Sequence, residues 1–261
     1  MKPVRVLTIA GSDSCGGAGI QADLKTITAL GGFGMTVITA LTAQNTLGIQ
    51  DIYEVSADFV DKQFESVMAD IGADAVKTGM LASIAVLHII SKKIRKYQIE
   101  KLVVDPVMVA TCGTLLIRDD FRKAMIRELI PLAFVLTPNI AEAEILAEMN
   151  IDSVGDMKRA ARLIHKFGAK NVVVKGGHIC GDAVDILFDG KGFHPFVSQR
   201  IDHEETHGTG CAFSAAIAVG LAKGMSVFEA VADAKHYITK AIQSACLLGG
   251  GSRLIDHSAA R

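Results

Sequence analysis

Short apolar runs rich in β-branched residues alternate along the chain with longer segments in which apolar residues recur at helical spacing. The short runs predict strands over 4–10, 35–41, 74–79, 101–105, 133–137 and 171–175. The intervening segments predict helices near 20–30, 57–71, 83–97, 119–130, 140–149 and 156–167. Because this alternation is typical of a mostly parallel sheet with helices on both faces, the pattern predicts an α/β fold.

The last part of the chain follows a different order. Two strands predicted near 183–188 and 192–197 are separated by the turn signal DGKG, which indicates a hairpin. The segments 209–223 and 226–247 then predict two successive helices. No Pro/Ser-rich linker, low-complexity segment or internal repeat interrupts the chain, so we expect one domain over residues 1–261. An added flap or small second sheet stays open, since periodicity overlooks edge strands.

The composition of the chain bears on whether it binds nucleic acid or a membrane and on where in the cell it acts. Half of the 261 residues are hydrophobic and the formal net charge is -1, so no basic surplus favours nucleic acid. No segment reaches about 18 apolar residues without a charge, and we therefore expect no membrane association. The cysteines are widely spaced and form no Cys-x-x-Cys pair: Cys15, Cys112, Cys180, Cys211 and Cys246. This spacing argues against a disulfide framework or structural zinc site and favours a reducing, cytoplasmic location.

Polar residues follow nearly every predicted strand. In chain order, the strands end in GSDSCGGAG, TAQN, TGM, DPVM, TPN and KGGH. Ligands of open parallel sheets bind outside the carboxyl ends of the strands, so these residues should meet on one rim. We therefore expect the functional site at that rim. Taken alone, GSDSCGGAG is also explained as a flexible loop between a strand and a helix.

Two common nucleotide-binding signatures are not expected here. GAGIQA, from Gly17 to Ala22, fits G-x-G-x-x-A, but the preceding strand ends at Ala10, seven residues before Gly17. No acidic residue lies about 20 positions further on, where the partner of a ribose should stand. The chain also lacks a G-x-x-x-x-G-K-[ST] loop. These observations exclude a dinucleotide-binding fold and a P-loop.

Four residues of the rim have both a structural and a functional interpretation. Asp105 either caps a turn with Pro106 or faces a metal or phosphate. Asn139 and Glu142 are either a helix N-cap with its capping-box partner or groups that order a hydrated Mg²⁺. Lys175, which is followed by two glycines, is either a solvated strand end or a phosphate partner.

The stretch HGTGCAFSAA, residues 207–216, predicts a glycine turn that opens a helix. Such a turn exposes backbone N–H groups at the positive end of the helix dipole, which makes an anion site. The same dipole should favour a thiolate at Cys211. The structural alternative is a Gly-rich N-cap with Cys211 as a small buried side chain. A Cys–His acyl-transfer site with His207 is a further alternative, although a neighbour four residues away across a sharp turn is poorly placed as a base.

Gln44 and Asn45 follow an otherwise apolar strand. They are explained either as turn formers or as ligand contacts. A glutamine amide presents one donor and one acceptor side by side. That pair matches the edge of an aminopyrimidine, which offers a ring nitrogen beside an exocyclic amine.

Seven stretches together closely resemble the bacterial hydroxymethylpyrimidine/phosphomethylpyrimidine kinases of thiamine biosynthesis, in the ribokinase-like superfamily: LTIAGSDSCGGAGIQADLKT, TALTAQNT, AVKTGML, VVDPVMVA, TPNIAEAE, VVVKGGH and HGTGCAFSAAIA. The resemblance extends from about Leu7 to the helix near Lys240. It implies a three-layer α/β/α ribokinase-like fold and a kinase that depends on ATP and Mg²⁺. Members of this family phosphorylate 4-amino-5-hydroxymethyl-2-methylpyrimidine and then its monophosphate, which gives the pyrophosphate used to build thiamine phosphate.

The resemblance also implies roles for three groups of residues. The pyrimidine pocket should be lined by Gly11, Asp23, Gln44, Met80 and Val107. The nucleotide phosphates and the metal should be served by Asn139 and Lys175, which bind ATP, and by Asp105 and Glu142, which bind the metal. The catalytic anion hole should consist of Gly208, Thr209 and Gly210, with Cys211 beside the attacking hydroxyl.

Other functions of this superfamily stay open at the sequence level. Sugar kinases carry an aspartate at the position of Cys211 and use it as the base, whereas the cysteine follows the pyrimidine-kinase branch. Related pyridoxal kinases have a second cysteine in a flap after DPVM, and Cys112 lies near that position, seven residues after Asp105. Gln44 favours the pyrimidine, so pyridoxal is the alternative substrate, and a non-catalytic nucleotide-binding domain is a further class. We expect a homodimer, which the residues themselves do not determine.

Overall fold

The centre of the fold is a broad β-sheet. The computed structural model describes residues 2–108, 119–177, 181–201 and 206–259. Within these ranges the sheet has nine strands: β1 (Arg5–Asp13), β2 (Phe33–Asn45), β3 (Gly48–Glu54), β4 (Ala75–Thr78), β5 (Leu102–Val104), β6 (Val135–Leu136), β7 (Val172–Val174), β8 (Ala183–Phe188) and β9 (Phe193–Ser198). Their order across the sheet is β3-β2-β1-β4-β5-β6-β7-β8-β9.

The six central strands run in the same direction. β1 pairs in parallel with β2 and β4, and parallel pairing continues through β5, β6 and β7. β3 is antiparallel to β2 at one side, and β8 and β9 continue the other side in antiparallel pairing. The predicted mostly parallel sheet and the predicted hairpin are therefore confirmed. Since the parallel strands share one direction, the loops that follow them meet along one edge.

Helices cover both faces of this sheet. They are α1 (Gly19–Ala29), α2 (Ala57–Asp70), α3 (Ile84–Lys96), α4 (Asp119–Ala124), α5 (Ile140–Ala147), α6 (Val154–His165), α7 (Thr209–Ala222) and α8 (Val227–Gln243). Side chains of α2 to α6 form the core on one face, and those of α1, α7 and α8 form the core on the other. Along β1, Leu7 and Ile9 join the first core while Val6 joins the second, as the alternation of side chains on a strand requires. The predicted three-layer α/β/α architecture is confirmed.

Helix α7 is buried along most of its length, which fixes the position of its first turn. Every residue from Ala212 to Leu221 is buried. Most of these side chains are small, so the helix lies close against β1, β4 and β5. A Cβ atom at Gly220 would lie 2.9 Å from the Cβ of Ala230, so this glycine lets α8 approach α7 closely. The N-terminus of α7 is thereby held at the edge where the strand-end loops meet.

Two elements differ from the sequence predictions. β3 was not predicted, because most of its side chains are exposed and its sequence lacks alternation of apolar and polar residues. The helix predicted over 119–130 begins as α4 but continues as a π-helical turn over Met125–Leu129 and a 3-10 turn over Ile130–Leu132. Pro131 lies in that last turn, where its missing N–H prevents continuation of the α-helical bonds.

A second, smaller sheet joins distant parts of the chain. Its strands β10 (Thr206–His207) and β11 (Arg253–Leu254) pair in parallel. The sequence analysis allowed for a small second sheet but did not predict where in the chain its strands would lie. Among the helices that the structure describes, none is long and apolar enough to cross a membrane.

Candidate active site

A cavity of about 210 Å³ opens at the carboxyl edge of the parallel strands. Its wall is formed by Ala10, Gly11, Ser12, Asp13, Ala18, Gly19, Thr42, Gln44, Asn45, Thr46, Leu47, Gly48, Ile49, Gly79, Met80, Val107, His207, Cys211 and Ser252. Most of its exposed surface is apolar, with polar side chains at a few places, as in pockets that bind small molecules. Residues of the GSDSCGGAG, TAQN, TGM and DPVM loops line this wall, so the expected meeting of the strand-end loops is confirmed for those four.

Four of the five residues expected to bind the pyrimidine lie in this wall. They are Gly11, Gln44, Met80 and Val107. A Cβ atom at Gly11 would lie 2.5 Å from the methyl carbon of Met80, so the glycine leaves room for that side chain to cover one side of the cavity. The side-chain amide of Gln44 lies between two polar groups, 3.0 Å from Thr42 Oγ1 and 3.0 Å from His207 Nε2.

The placement of Asp23 in the pocket wall is corrected by the structure. Its side chain is fully buried beneath the cavity and has no exposed surface. Its carboxylate accepts hydrogen bonds from Lys77 Nζ at 2.8 and 3.0 Å and from Thr8 Oγ1 at 2.5 Å. A buried charge needs a partner, and Asp23 and Lys77 supply one another. Asp23 therefore acts below the site rather than as a contact within the pocket.

The turn HGTG brings two loops into backbone contact. Gly208 is the N-cap of α7 and has φ of 88°, in the left-handed region that glycine adopts readily. A Cβ atom at Gly208 would lie only 1.8 Å from the carbonyl oxygen of Gly17. No side chain fits at this position, so the glycine permits the contact between the GSDSCGG loop and α7. The backbone N–H groups of Thr209, Gly210 and Cys211 form the open first turn behind it.

Asp105 and Lys175 meet beside this first turn. Lys175 Nζ donates to Asp105 Oδ1 at 2.9 Å, and Ser214 Oγ of α7 donates to Asp105 Oδ2 at 3.3 Å. A Cβ atom at Gly210 would lie 3.2 Å from Lys175 Nζ. Burial disfavours the charge of Asp105, but the ammonium groups of Lys175 and Lys77 hold the pKa of its carboxyl below the usual range. Asp105 and Lys175, which were expected to serve the metal and the phosphates, therefore lie together beside Gly210 of the expected anion hole.

Asn139 and Glu142 form the capping box that their spacing predicts. Asn139 Oδ1 accepts from the N–H of Glu142, and Glu142 Oε2 accepts from the N–H of Asn139, each at 2.9 Å. Glu142 also faces the DPVM loop, since its Oε1 lies 3.4 Å from the backbone nitrogen of Met108. Burial raises the pKa of the Glu142 carboxyl, the nearby Asp105 charge adds to the rise, and Lys175 opposes it. The structural interpretation of this pair as a helix N-cap with its capping-box partner is confirmed.

Comparison with known proteins gives the family to which this arrangement belongs. Residues 13–256 match the family model described as phosphomethylpyrimidine kinase. The chain belongs to the phosphomethylpyrimidine kinase family. Members of this family are phosphotransferases, so the chain is a kinase, as its sequence predicted.

Two curated relatives show how much of the chain this likeness covers. The chain is 49% identical over 255 residues to the hydroxymethylpyrimidine/phosphomethylpyrimidine kinase of Rhizobium meliloti, with 96% of each protein covered. It is 53% identical over 253 residues to the thiamine biosynthesis bifunctional protein ThiED of Geobacter sulfurreducens. In that pair 97% of this chain but only 52% of the ThiED protein is covered.

Solved structures support the same family and the ribokinase-like fold. The phosphomethylpyrimidine kinase of Clostridium difficile 630 has a TM-score of 0.83 and 45% identity, covering 92% of this chain and 99% of that one. The ADP complex of Bacillus subtilis pyridoxal kinase has a TM-score of 0.92 and 39% identity, covering 99% and 98%. The pyridoxal kinase of Staphylococcus aureus, in complex with AMP-PCP and pyridoxal, has a TM-score of 0.92 and 35% identity, covering 99% and 95%.

For this kinase, the prediction of a thiolate at Cys211 is wrong. Cys211 lies in the cavity wall at the head of α7, but burial raises the pKa of its thiol to about 11. The charge of Lys77 and the N–H of Gly19 lower the pKa, and the carboxylates of Asp23 and Asp105 raise it further. Burial therefore outweighs the expected effect of the helix N-terminus on the pKa, and Cys211 is mainly a neutral thiol at neutral pH.

Sequence reasoning missed a polar cluster on the other side of the kinase pocket. Asp13, Cys15 and His207 place one potential metal-ligating atom each within 4.8 Å of one another. The groups already bond among themselves, because His207 Nε2 lies 3.1 Å from Asp13 Oδ2 and the thiol of Cys15 lies 3.4 Å from the same oxygen. Asp13 and His207 both stand in loops predicted at the rim, which was the signal available. The same contacts turn His207 Nε2 toward Asp13 and Gln44, which disfavours the Cys–His acyl-transfer alternative.

The carboxyl-terminal segment also reaches the pocket, which the sequence did not predict. Pairing of β11 with β10 sets Leu254 opposite His207. The backbone nitrogen of Ser252 donates to the carbonyl oxygen of Thr46 at 3.0 Å, and Ser252 lines the cavity. Cys112, which the sequence placed near a flap, lies outside the described residues.

Proposed function

We propose that this kinase transfers the γ-phosphoryl group of ATP to 4-amino-5-hydroxymethyl-2-methylpyrimidine and then phosphorylates the resulting monophosphate, giving the pyrophosphate used for thiamine phosphate. The observation that carries the proposal is the shared wall of one cavity. The Gln44 amide, which suits an aminopyrimidine edge, and Cys211, at the open N-terminus of α7, both line it. The relative from Rhizobium meliloti, named as a hydroxymethylpyrimidine/phosphomethylpyrimidine kinase, supports the same substrate.

The first turn of α7 is proposed to hold the phosphoryl group. In the transfer the hydroxymethyl oxygen forms a bond to the γ-phosphorus, the bond from that phosphorus to the ADP oxygen breaks, and the hydroxyl proton leaves. The transition state gathers negative charge on the equatorial phosphoryl oxygens. The N–H groups of Thr209, Gly210 and Cys211 and the ammonium of Lys175 can meet that charge without rearrangement. Catalysis then rests mainly on position and electrostatics.

Cys211 is proposed to take the hydroxyl proton through its minor thiolate form. A thiol cannot accept a proton, and the pKa of about 11 leaves little thiolate at neutral pH. Below that pKa the fraction of thiolate rises about tenfold for each unit by which the pH increases, so the base becomes more available as pH rises. Lys77, buried beneath the pocket and paired with Asp23, supplies positive charge that favours the thiolate.

Mg²⁺ is proposed to bind with the nucleotide at Asp105 and Glu142. The donor set fits this ion, because Mg²⁺ prefers carboxylate oxygens and keeps several of its waters. The charge of Asp105 contributes to the raised pKa of Glu142, so the two carboxylates lie close enough to interact, and a cation beside both would relieve their repulsion. The bound ion would neutralise charge on the phosphates. Asn139 orients Glu142 through the capping box, and Lys175 balances Asp105.

Pyridoxal is the second candidate substrate, and a specific observation favours it. Two structures with TM-scores of 0.92 to this chain are pyridoxal kinases, one of them bound to pyridoxal. A pyridine alcohol lacks the amine that would pair with the Gln44 amide. We therefore expect turnover of pyridoxal to be slower than that of the aminopyrimidine.

Identification of the products tests this assignment. The full chain is incubated with ATP, Mg²⁺ and each alcohol in turn, and the products are followed by ³¹P NMR. The aminopyrimidine alcohol should give first a phosphate monoester and then a pyrophosphate, with release of ADP at each step. Hydrolysis of ATP without either ester, or phosphorylation of pyridoxal alone, would contradict the proposal.

We also propose that residues 1–261 act as one ribokinase-like kinase domain, in the cytoplasm where ATP is supplied, and that two copies form a homodimer. The family match over residues 13–256 supports a single unit.

Exposed apolar side chains on and beside the outer strand β3 support a dimer, notably Leu47 and Tyr53, each 72% exposed. Sedimentation equilibrium of wild type and Tyr53→Glu tests the dimer. Wild type should sediment at twice the chain mass and the variant at the chain mass.

A further inference from the structure

A chain of polar contacts runs along one side of the pocket, from Asp13 to the backbone of Ser12. Asp13 Oδ2 lies 3.1 Å from His207 Nε2, and that nitrogen lies 3.0 Å from the end of the Gln44 side chain. The other end of the Gln44 amide lies 3.0 Å from Thr42 Oγ1, which in turn lies 3.0 Å from the carbonyl oxygen of Ser12. Every proton in this chain is therefore constrained by its neighbours.

Asp13 determines where the proton on His207 lies. Its Oδ2 accepts from the backbone nitrogens of Gly17 at 3.0 Å and Ala18 at 2.7 Å, and its Oδ1 accepts from that of Cys15 at 2.9 Å. An ionised carboxylate is only an acceptor. An unprotonated Nε2 at 3.1 Å would set two acceptors against each other, so His207 Nε2 must carry a hydrogen. This holds whether or not the other ring nitrogen is protonated.

The charge state of Asp13 supports this assignment independently. Burial disfavours its charge, but hydrogen bonds from His207, Cys15 and Ala18 outweigh burial and hold the pKa of the carboxyl well below its usual range. The carboxylate is therefore ionised at neutral pH.

The proton on His207 then fixes the direction of the Gln44 amide. The oxygen and nitrogen ends of an amide have nearly the same shape, so their partners decide which is which. A protonated Nε2 has no lone pair to accept from an NH2 group, so the end of the Gln44 amide that lies 3.0 Å from it must be the oxygen, which shares the N–H with Asp13. The Gln44 nitrogen then faces Thr42 Oγ1, whose single hydrogen is free to bind the carbonyl oxygen of Ser12. The reverse direction would need two hydrogens on the Thr42 hydroxyl.

We propose that Asp13 and His207 are positioning residues that turn the Gln44 oxygen toward His207 and thereby select the orientation of the substrate. The proposal rests on the proposed aminopyrimidine substrate. A Gln44 amide held this way presents its acceptor on the His207 side and its donor on the Thr42 side. The exocyclic amine of the pyrimidine must then lie toward His207, and the neighbouring ring nitrogen toward Thr42.

This orientation has a consequence for the reaction. The hydroxymethyl group is attached to the ring carbon next to the one that carries the amine. Placing the amine on the His207 side therefore carries the hydroxymethyl group to the same side. His207 immediately precedes Gly208, the N-cap of α7, so the alcohol is turned toward the first turn that would hold the phosphoryl group. The opposite orientation would turn the alcohol away from it.

The backbone holds His207 in place before any substrate binds. β10 pairs with β11, which sets His207 opposite Leu254. On the other side, a Cβ atom at Gly17 would lie 2.5 Å from Cδ2 of the His207 ring, so the ring packs directly on that glycine. Because the ring is only 8% exposed, its donor is prearranged rather than recruited from solvent.

Nitrogen NMR of the ligand-free protein tests the proton position directly. The full chain is labelled with ¹⁵N-histidine, and the His207 signals are assigned by comparison with His207→Gln. Nε2 of His207 should show the chemical shift and one-bond coupling of a protonated nitrogen. An unprotonated Nε2 would overturn the proposal, and this result does not depend on what the enzyme phosphorylates.

Two amide variants test the effect on substrate orientation. In His207→Gln the side-chain nitrogen reaches the position of Nε2 and keeps a donor, whereas in His207→Asn it reaches only the position of Nδ1. Each variant is titrated with the aminopyrimidine alcohol and with the same alcohol lacking the amine, and both are assayed for turnover. The ratio of the two Kd values isolates recognition of the amine from any general damage to the pocket.

We expect the preference for the amine to fall about tenfold or more in His207→Asn and to stay close to wild type in His207→Gln, since the unpaired amide is free to turn. The Michaelis constant for ATP should not change in either variant. An unchanged preference in His207→Asn, or equal losses in both variants, would overturn the positioning role. A wild type without any preference for the amine would instead count against the proposed substrate.

Discussion

Replacing Gly208 by alanine should disable the proposed phosphoryl site while leaving the fold intact. An added Cβ atom would lie 1.8 Å from the carbonyl oxygen of Gly17, whereas Cβ atoms essentially never come closer than 3.0 Å to a neighbour. The first turn of α7 must therefore move by the difference, 1.2 Å, or push the GSDSCGG loop away by the same distance. A misplacement of about 1 Å at a reacting group lowers the rate about 10²-fold.

Gly224 provides a matched control at the other end of the same helix. It also has φ of 88°, but an added Cβ atom there meets nothing within 4 Å. Both variants place alanine in the left-handed region, which costs about 1–2 kcal/mol of stability. Both should therefore lower Tm, but only Gly208→Ala should lower kcat by about 10²-fold. Rates are measured by coupled ADP release and stability by thermal unfolding. A Gly208→Ala enzyme with the kcat of Gly224→Ala would refute the role of the first turn.

Three further predictions concern proton and metal binding. The kcat of wild type should rise with pH toward the Cys211 pKa of about 11, and Cys211→Ala should lose that slope and run at least about 10²-fold slower, as steady-state rates across pH would show. Glu142→Gln should need more Mg²⁺ for half-maximal rate, and an overlaid titration would leave Glu142 as a helix cap only. Burial lowers the pKa of His257 to about 4, so the unfolded chain binds this proton first as pH falls from about 6.5. Denaturant unfolding should therefore show a loss of about 2 kcal/mol between pH 6.5 and 4 that His257→Asn reduces.

The hydrophobic pattern predicted the parallel core of the fold because buried strands carry their signal locally. It failed for β3, whose exposed residues show no apolar face. It also failed before Pro131, where the predicted α-helix continues as a π-helical turn and then a 3-10 turn. The pairing of β10 with β11 joins residues 206–207 to 253–254, and no local pattern reports such a distant contact.

The same limit applies to the site. The Gly208 turn, Gln44 and the rim loops were visible in short stretches of sequence. His207 and Asp13 are 194 residues apart, so their contact depends on the fold. The helix N-terminus at Cys211 is a local feature that predicts a low thiol pKa. Burial of the Cys211 thiol is a tertiary effect, and it determines that its pKa is raised.

Substrate preference tests the central claim most directly. The ratio of kcat/KM for the aminopyrimidine alcohol to that for pyridoxal is measured in wild type and in Gln44→Ala, at saturating ATP. Wild type should prefer the aminopyrimidine, and Gln44→Ala should lose that preference by about tenfold or more, because it leaves the amine and ring nitrogen unpaired. The Michaelis constant for ATP should stay the same. A wild type that prefers pyridoxal, or a ratio unchanged in Gln44→Ala, would contradict the proposal that this pocket recognises an aminopyrimidine.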